Sequence, residues 1–316
     1  WNHRPSAEPG HLTQPMSQLF SDSARHRRIG IALVTVTTLM FAVLDASAKW
    51  LVLTLPVMQV VWMRFLTHSL FSIAVFAPSV KGDLLRWRHP RLQLLRGLML
   101  AAMTGLNFWA LQYLQLAETG AMQFSVPILI ALLSAWWLGE RLDAKRWLAI
   151  AVGFAGVLVI IRPGSQGFHP AILLSALNAI LYALFNMMTR YLASSENPAT
   201  TQLTSAVVAT LVLTPVALWQ WQQPATLLEW FVMALAGLCG GIGHYFVAVA
   251  HRYASAAVLG PFLYQQILYM TVLGWLVFGQ VPDLAVVLGA LVVVGSGLYL
   301  LWREFQGQGQ LSPNES

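Results

Sequence analysis

The chain is 316 residues long, and charged residues make up only 9% of it against 57% hydrophobic, where a soluble domain carries about 25% charge. A chain this apolar cannot hide its surface in water, so a bilayer is its solvent. The net charge of +6 does not signal a nucleic-acid face, because Lys and Arg fall between apolar runs rather than on one folded patch, and the single cysteine, Cys239, excludes an intrachain disulfide and any cysteine-based metal motif.

In chain order, residues 1–28 read as a polar cytoplasmic tail, and because residue 1 is Trp a start upstream of it is expected. Apolar runs then predict transmembrane helices over 29–50, 56–77, 95–115, 119–138, 145–162, 170–192, 200–219, 230–250, 255–278 and 283–302. Each is long enough to cross about 30 Å of hydrocarbon at 1.5 Å per residue. Residues 303–316 form a second polar tail. The first run could imitate a signal peptide, with Arg25, Arg27 and Arg28 before it and Ala46-Ser47-Ala48 at its end. A matching segment embedded mid-chain argues against cleavage.

Cations set the orientation. With the N-terminus inside, Arg25, Arg27, Arg28, the group Lys81, Arg86, Arg88, Arg91 and Arg96, the group Arg141, Lys145 and Arg146, then Arg190, Arg252 and Arg303 are all cytoplasmic. Lys49 and Arg162 fall near the outer face. Both termini are therefore expected inside.

An internal repeat is the most informative feature. Shifted by 141, Phe41-Ala42-Val43-Leu44-Asp45 and Lys49-Trp50-Leu51 lie over Tyr182-Ala183-Leu184-Phe185-Asn186 and Arg190-Tyr191-Leu192. Shifted by 140, Ala117, Gly120, Leu133, Gly139 and Asp143 meet Ala257, Gly260, Leu273, Gly279 and Asp283. Five spans per half is an odd number, so the halves 29–162 and 170–302 are expected to insert in opposite senses. The fold class is an all-α integral membrane protein of ten transmembrane helices in two inverted-topology repeats of five, with a site between halves near the midplane.

In order and spacing, several segments resemble an EamA-type member of the drug/metabolite transporter superfamily, in its bacterial ten-helix branch. These are Asp45-Ala-Ser-Ala-Lys49-Trp50, Arg64, Pro127 through Leu138-Gly139-Glu140-Arg141, Gly243-His244 and Pro261-Phe-Leu-Tyr264-Gln265. One departure is Gly279-Gln280, where the family ends helix 9 in Gly-Glu. The resemblance covers nearly all of residues 29–302. It implies a bacterial inner-membrane protein that imports or exports a small organic metabolite or drug, with membrane lipid around it, as a monomer or homodimer.

Ionisable side chains inside spans are costly and need a reason. Asp45 and Lys49 stand one turn apart: either an intrahelical ion pair with Lys49 snorkelling outward, or a pair that changes partners when solute or a proton arrives. Asn178, Tyr182, Asn186 and Arg190 form a stripe that must face protein or a watery path. Arg64 needs an anion, Asp45 or a substrate carboxylate being the candidates, and His68 follows it by one turn. Gly237 and Gly241 permit close helix approach beside His244, and a histidine there could carry a proton. Pro127 and Pro261 could break their helices locally. The candidate substrate-binding residues are Asp45, Arg64, Asn107, Asn186, Arg190, His244, Tyr264 and Gln265, with Asp45 or His244 as proton-coupling groups. No cofactor, metal or nucleic acid is expected. The alternative, an intramembrane lipid-modifying enzyme, would need an acid/base pair or metal cluster, and the scattered histidines offer no ligand spacing.

Overall fold

The computed structural model describes residues 24–80, 87–137, 143–162, 168–193, 195–196, 198–254 and 256–309. The outer parts of both tails, the loop cations Lys81 and Arg86, and Leu138-Gly139-Glu140-Arg141 lie outside the described residues, as does the side chain of Arg190.

All regular structure among the described residues is helical. The segments are α1 Ala24–Leu51, α2 Val57–Val80, α3 Pro90–Leu111, α4 Leu116–Gln123, α5 Val126–Trp137, α6 Ala144–Ile161, α7 Ile172–Ala193, α8 Pro198–Trp219, α9 Leu227–Tyr253, α10 Ala256–Leu263, α11 Gln265–Phe278 and α12 Leu284–Gly309. The fourth span is α4 with α5 and the ninth is α10 with α11, so twelve segments make ten spans. Nine of them are long and apolar enough to cross a membrane among the described residues; the tenth is α2. Several ends differ from expectation, among them α3, which covers Pro90–Leu111 rather than 95–115. Helix α1 starts at Ala24 rather than 29, and α12 runs on to Gly309.

Both interrupted spans carry a proline, which lacks a backbone donor, close to the break. Pro127 stands in the first turn of α5 and Pro261 inside α10. Phe124 and Tyr264, the residues at the two breaks, touch with ring centroids 4.9 Å apart. Their separation in sequence is the repeat offset of 140. Likewise Ser69 Oγ meets Thr210 Oγ1 at 3.3 Å across an offset of 141. Positions one repeat offset apart thus meet at these two points.

Helix packing pairs off in the same way. Helix α1 packs on α9 and α3 on α7; α2 packs on α9 and α3 on α8; α1 meets α10 and α11 while α7 meets α4 and α5. Helices α2 and α8, and α6 and α12, contact their own counterparts. The α6–α12 pair shows the relative direction of the halves. Asp143 accepts from the Arg146 amide as N-cap of α6 and pairs with Arg303 near the end of α12. Asp283 accepts from the Val286 amide at the start of α12 and pairs with Arg162, the C-cap of α6, at 2.7 Å. The last spans of the two halves therefore run antiparallel, pinned at each end by one copy of the same ion pair. Small residues permit the approach: a Cβ on Gly156 or Gly289 would fall within 3.0 Å of the facing helix.

The two pins should be energetically alike. Asp143→Ala and Asp283→Ala each remove a helix N-cap, expected to cost about 1 kcal/mol, while the half-exposed ion pairs add little. The pins lie roughly 27 Å apart along α6, so the double variant should show the sum. Chemical denaturation in detergent checks this. The Val286 amide, aided by Arg162, holds the Asp283 carboxyl below its ordinary value of 3.8. A depressed carboxylate stabilises above that ordinary value and loses its contribution as pH falls through the depressed one. The wild-type advantage over Asp283→Ala should accordingly be full at pH 5 and above and shrink below about pH 4.

Candidate functional site

Helices α1 and α3 run parallel and in register, and this sets the first half of the site. Asn107 on α3 donates from Nδ2 to Asp45 Oδ1 at 3.0 Å. One turn further along both helices, Lys49 Nζ donates to the carbonyls of Leu111 and Leu114 at 2.7 Å each. These carbonyls lie at the C-terminal end of α3, where free acceptors and the negative end of the helix dipole favour a cation. Lys49 is only 3% exposed and also lies over the Phe278 ring at 5.5 Å. The intrahelical Asp45–Lys49 pair and the snorkelling lysine are therefore corrected. Lys49 closes a helix end, and Asp45 turns to Asn107 of α3, with Gln266 of α11 near its carboxylate and donating to Met270 Sδ at 3.9 Å.

Arg64 on α2 is buried within electrostatic reach of Asp45, and its guanidinium lies over the Phe65 ring at 4.2 Å. Glycines of α9 make room for it. A Cβ on Gly240 would stand 3.3 Å from Arg64 Nη2, and one on Gly237 would stand 2.8 Å from the Arg64 carbonyl oxygen. One turn deeper, His68 stacks on His244 of α9 with centroids 5.8 Å apart and ring planes 10° apart. Phe41 of α1 closes on His244 at 5.0 Å. Gln202 of α8 places Nε2 3.3 Å from His68 Nε2 and 3.4 Å from the Gly241 carbonyl oxygen.

The file continues to a residue that the cation pattern counted on the cytoplasmic side, at the start of the predicted span 95–115. Arg96 stands inside α3 and donates to Thr189 Oγ1 at 3.0 Å, to the Thr201 carbonyl at 3.2 Å and to Ser205 Oγ. Its guanidinium lies over Phe185 at 4.3 Å. It is the cation that locks α3 to α7 and α8, and Tyr182 and His244 are within its electrostatic reach. The usable signal was its position inside a predicted span, together with Gln93 one turn earlier.

Asp45, Asn107, Arg64 and His244 thus come together, with His68, Gln202, Arg96 and Gln266 added to them. The remaining candidates sit elsewhere. Asn186 spends its amide on the Tyr182 carbonyl of its own helix at 2.7 Å. Tyr264 stands at the α10–α11 break, its hydroxyl aimed at Gly297 of α12. Gln265 accepts from the Tyr269 hydroxyl at 3.1 Å, and its neighbour Gln266 is the one near Asp45. On the α7 stripe, Asn178 is buried with its Oδ1 unpartnered.

Two five-span halves enclosing a file of buried charges and amides define a polytopic membrane carrier. The EamA-like transporter family model matches the chain twice, over residues 28–162 and 169–302, and the chain belongs to that family: it is a multi-pass transporter of small metabolites. It is 25% identical to the S-adenosylmethionine uptake transporter of Rickettsia bellii (strain RML369-C), over 90% of this chain and 97% of that one. To the riboflavin transporter of Vibrio cholerae it is 28% identical, covering 88% and 95%. To the pseudopaline exporter CntI of Pseudomonas aeruginosa (strain UCBPP-PA14) it is 27% identical, covering 84% and 93%. A solved crystal structure shares the fold over 90% of this chain and 99% of its own, with a TM-score of 0.59 at 21% identity.

The corrected partners of Lys49 predict a split between neighbours. Lys49→Ala strands two buried carbonyls and should cost about 2–4 kcal/mol of unfolding free energy. Asp45→Asn should cost under about 1 kcal/mol, since Lys49 does not depend on it. Equal losses in a denaturation series would restore the ion pair.

Proposed function

We propose that the chain moves a small organic solute by alternating access, with the solute bound between the halves beside Asp45, Asn107, Arg64 and His244. The observation that carries this reading is the file itself. It runs from the C-terminal end of α1 toward the N-terminal part of α3, along the interface between repeats whose last spans are antiparallel. Antiparallel counterparts support an inverted-topology pair, the arrangement in which rocking one repeat against the other opens a midplane site to either face. The names of the relatives support an organic metabolite as cargo and include both uptake and export. The cation distribution supports both termini on the cytoplasmic side, and the bacterial relatives support the cytoplasmic membrane of a bacterium. The same family placement favours a carrier over an enzyme.

Asp45 or His244 is the proton-coupling group of this reading. Asp45 is a carboxylate held by a neutral amide, and His244 faces His68 at the centre of the file. The test is flux in proteoliposomes, with S-adenosylmethionine, riboflavin and a set of amino acids as solutes, with and without a pH gradient. Wild type should accumulate solute against its gradient when the membrane is energised by ΔpH. Asp45→Asn or His244→Ala should abolish accumulation, and the variant that keeps downhill exchange identifies the coupling residue. Flux indifferent to pH, and unchanged in both variants, would remove the coupling. Folded protein that carries no solute at all would remove alternating access.

A further inference from the structure

One charge in the proposed site is not answered by the fold. Arg64 is 5% exposed, and its Nε and Nη1 are buried without a hydrogen-bond partner. A buried guanidinium is costly unless its donors are satisfied. Asp45 is the carboxylate within its reach, yet Asp45 accepts from Asn107, and no ion pair joins it to Arg64 among the described residues. The aromatic face of Phe65 supports the guanidinium plane without bonding its N–H groups. Along its edge the wall is bare backbone, since a Cβ on Gly240 would press to 3.3 Å of Nη2 and 3.5 Å of Nε. One turn away His68 Nδ1 is also buried without a partner.

Contrast with Arg96 gives the point its force. Both arginines lie in the same file and each covers a phenylalanine, but Arg96 gives its Nε and Nη1 donors to Thr189, Thr201 and Ser205, while the same two nitrogens of Arg64 have no partner. The fold finishes one arginine and leaves the other open. We infer that Arg64 is the anion subsite of the carrier and takes a carboxylate group of the solute on its free N–H donors. The charge balance selects the class. Among the described residues Arg64 is the one uncommitted fixed cation at this level, and Asp45 stands near it, which suits a planar monoanion and disfavours a doubly charged sulfate or phosphate. A guanidinium fork matches a carboxylate in geometry as well as in charge. This inference rests on the transport reading for the identity of the ligand as cargo, but the subsite itself can be tested by binding alone.

The experiment is thermal unfolding of the purified full chain in detergent, with matched probes: acetate, propionate and benzoate against acetamide, propionamide and benzamide, and sulfate alongside. The carboxylates should raise the wild-type midpoint in a saturable way while their amides and sulfate do not. Arg64→Gln should abolish the response and, without ligand, unfold no earlier than wild type. Arg64→Lys keeps the charge but not the fork, and should bind about tenfold more weakly. Gly240→Ala, which crowds the same edge, should weaken the response while leaving α2 and α9 packed, and it serves if Arg64→Gln fails to fold. Equal responses to acids and amides, or an Arg64→Gln protein that unfolds earlier and still responds to carboxylates, would overturn the subsite. A sulfate response as large as the carboxylate response would overturn the class. Carboxylate binding dependent on Arg64 without flux would sink the transport reading and leave the subsite standing; flux of neutral solutes alone would do the reverse.

Discussion

Charge inside hydrocarbon has to be answered within a few ångströms, because no water or salt is there to screen it. That constraint organises this molecule. Lys49 is answered by the end of a helix, Arg96 by hydroxyls and a carbonyl from two helices, and Asp45 by an amide. Each answer fixes a helix: Lys49 seats α1 against the end of α3, and Arg96 seats α3 against α7 and α8. The glycines of α9 do the same for α2, letting its backbone approach closely where Arg64 and His68 project. The polar file is therefore also the scaffold of the bundle centre.

Symmetry is the second constraint, and the two interact. Contacts at the repeat offset, Ser69 with Thr210 and Phe124 with Tyr264, mark where the halves face each other. The paired ion clamps on α6 and α12 show the same relation at the periphery. Function departs from it at the centre. Asp45 is matched by Asn186, which bonds only its own helix, and Arg64 is matched by Ser205, which serves Arg96. Two similar halves thus build a frame of matched contacts, while one set of charges gives the frame a single polar file.

The fold was largely readable from the sequence because its signals are collective. Runs of apolar residues give spans, and a repeat offset that recurs across many positions gives the two halves. Pro127 and Pro261 also flagged the two broken spans, although Pro215, which equally lacks a donor, sits inside an unbroken α8. Partner choice was not readable. Asp45 and Lys49 lie one turn apart and look like a pair, but the α3 carbonyls compete for the lysine, and their position is a tertiary fact. Gln265 and Gln266 differ by 100° around a helix whose start depends on the break at Tyr264, so motif position could not decide which one lies near Asp45. Arg96 was counted only as a cytoplasmic-side cation at the start of a span, whereas its burial depends on how α3 packs against α7 and α8.

The central claim is that one polar file, enclosed by the two repeats, opens alternately to either face of the membrane. Gln202 lies on that file beside His68, and the sole cysteine, Cys239, is buried and replaceable. The direct measurement is labelling of Gln202→Cys, in a Cys239→Ala background, with a membrane-impermeant thiol reagent applied from one side of the bilayer and then from the other. The account predicts labelling from both sides, slowed from both by transported solute. Labelling from one side only, whatever solute is present, would contradict it.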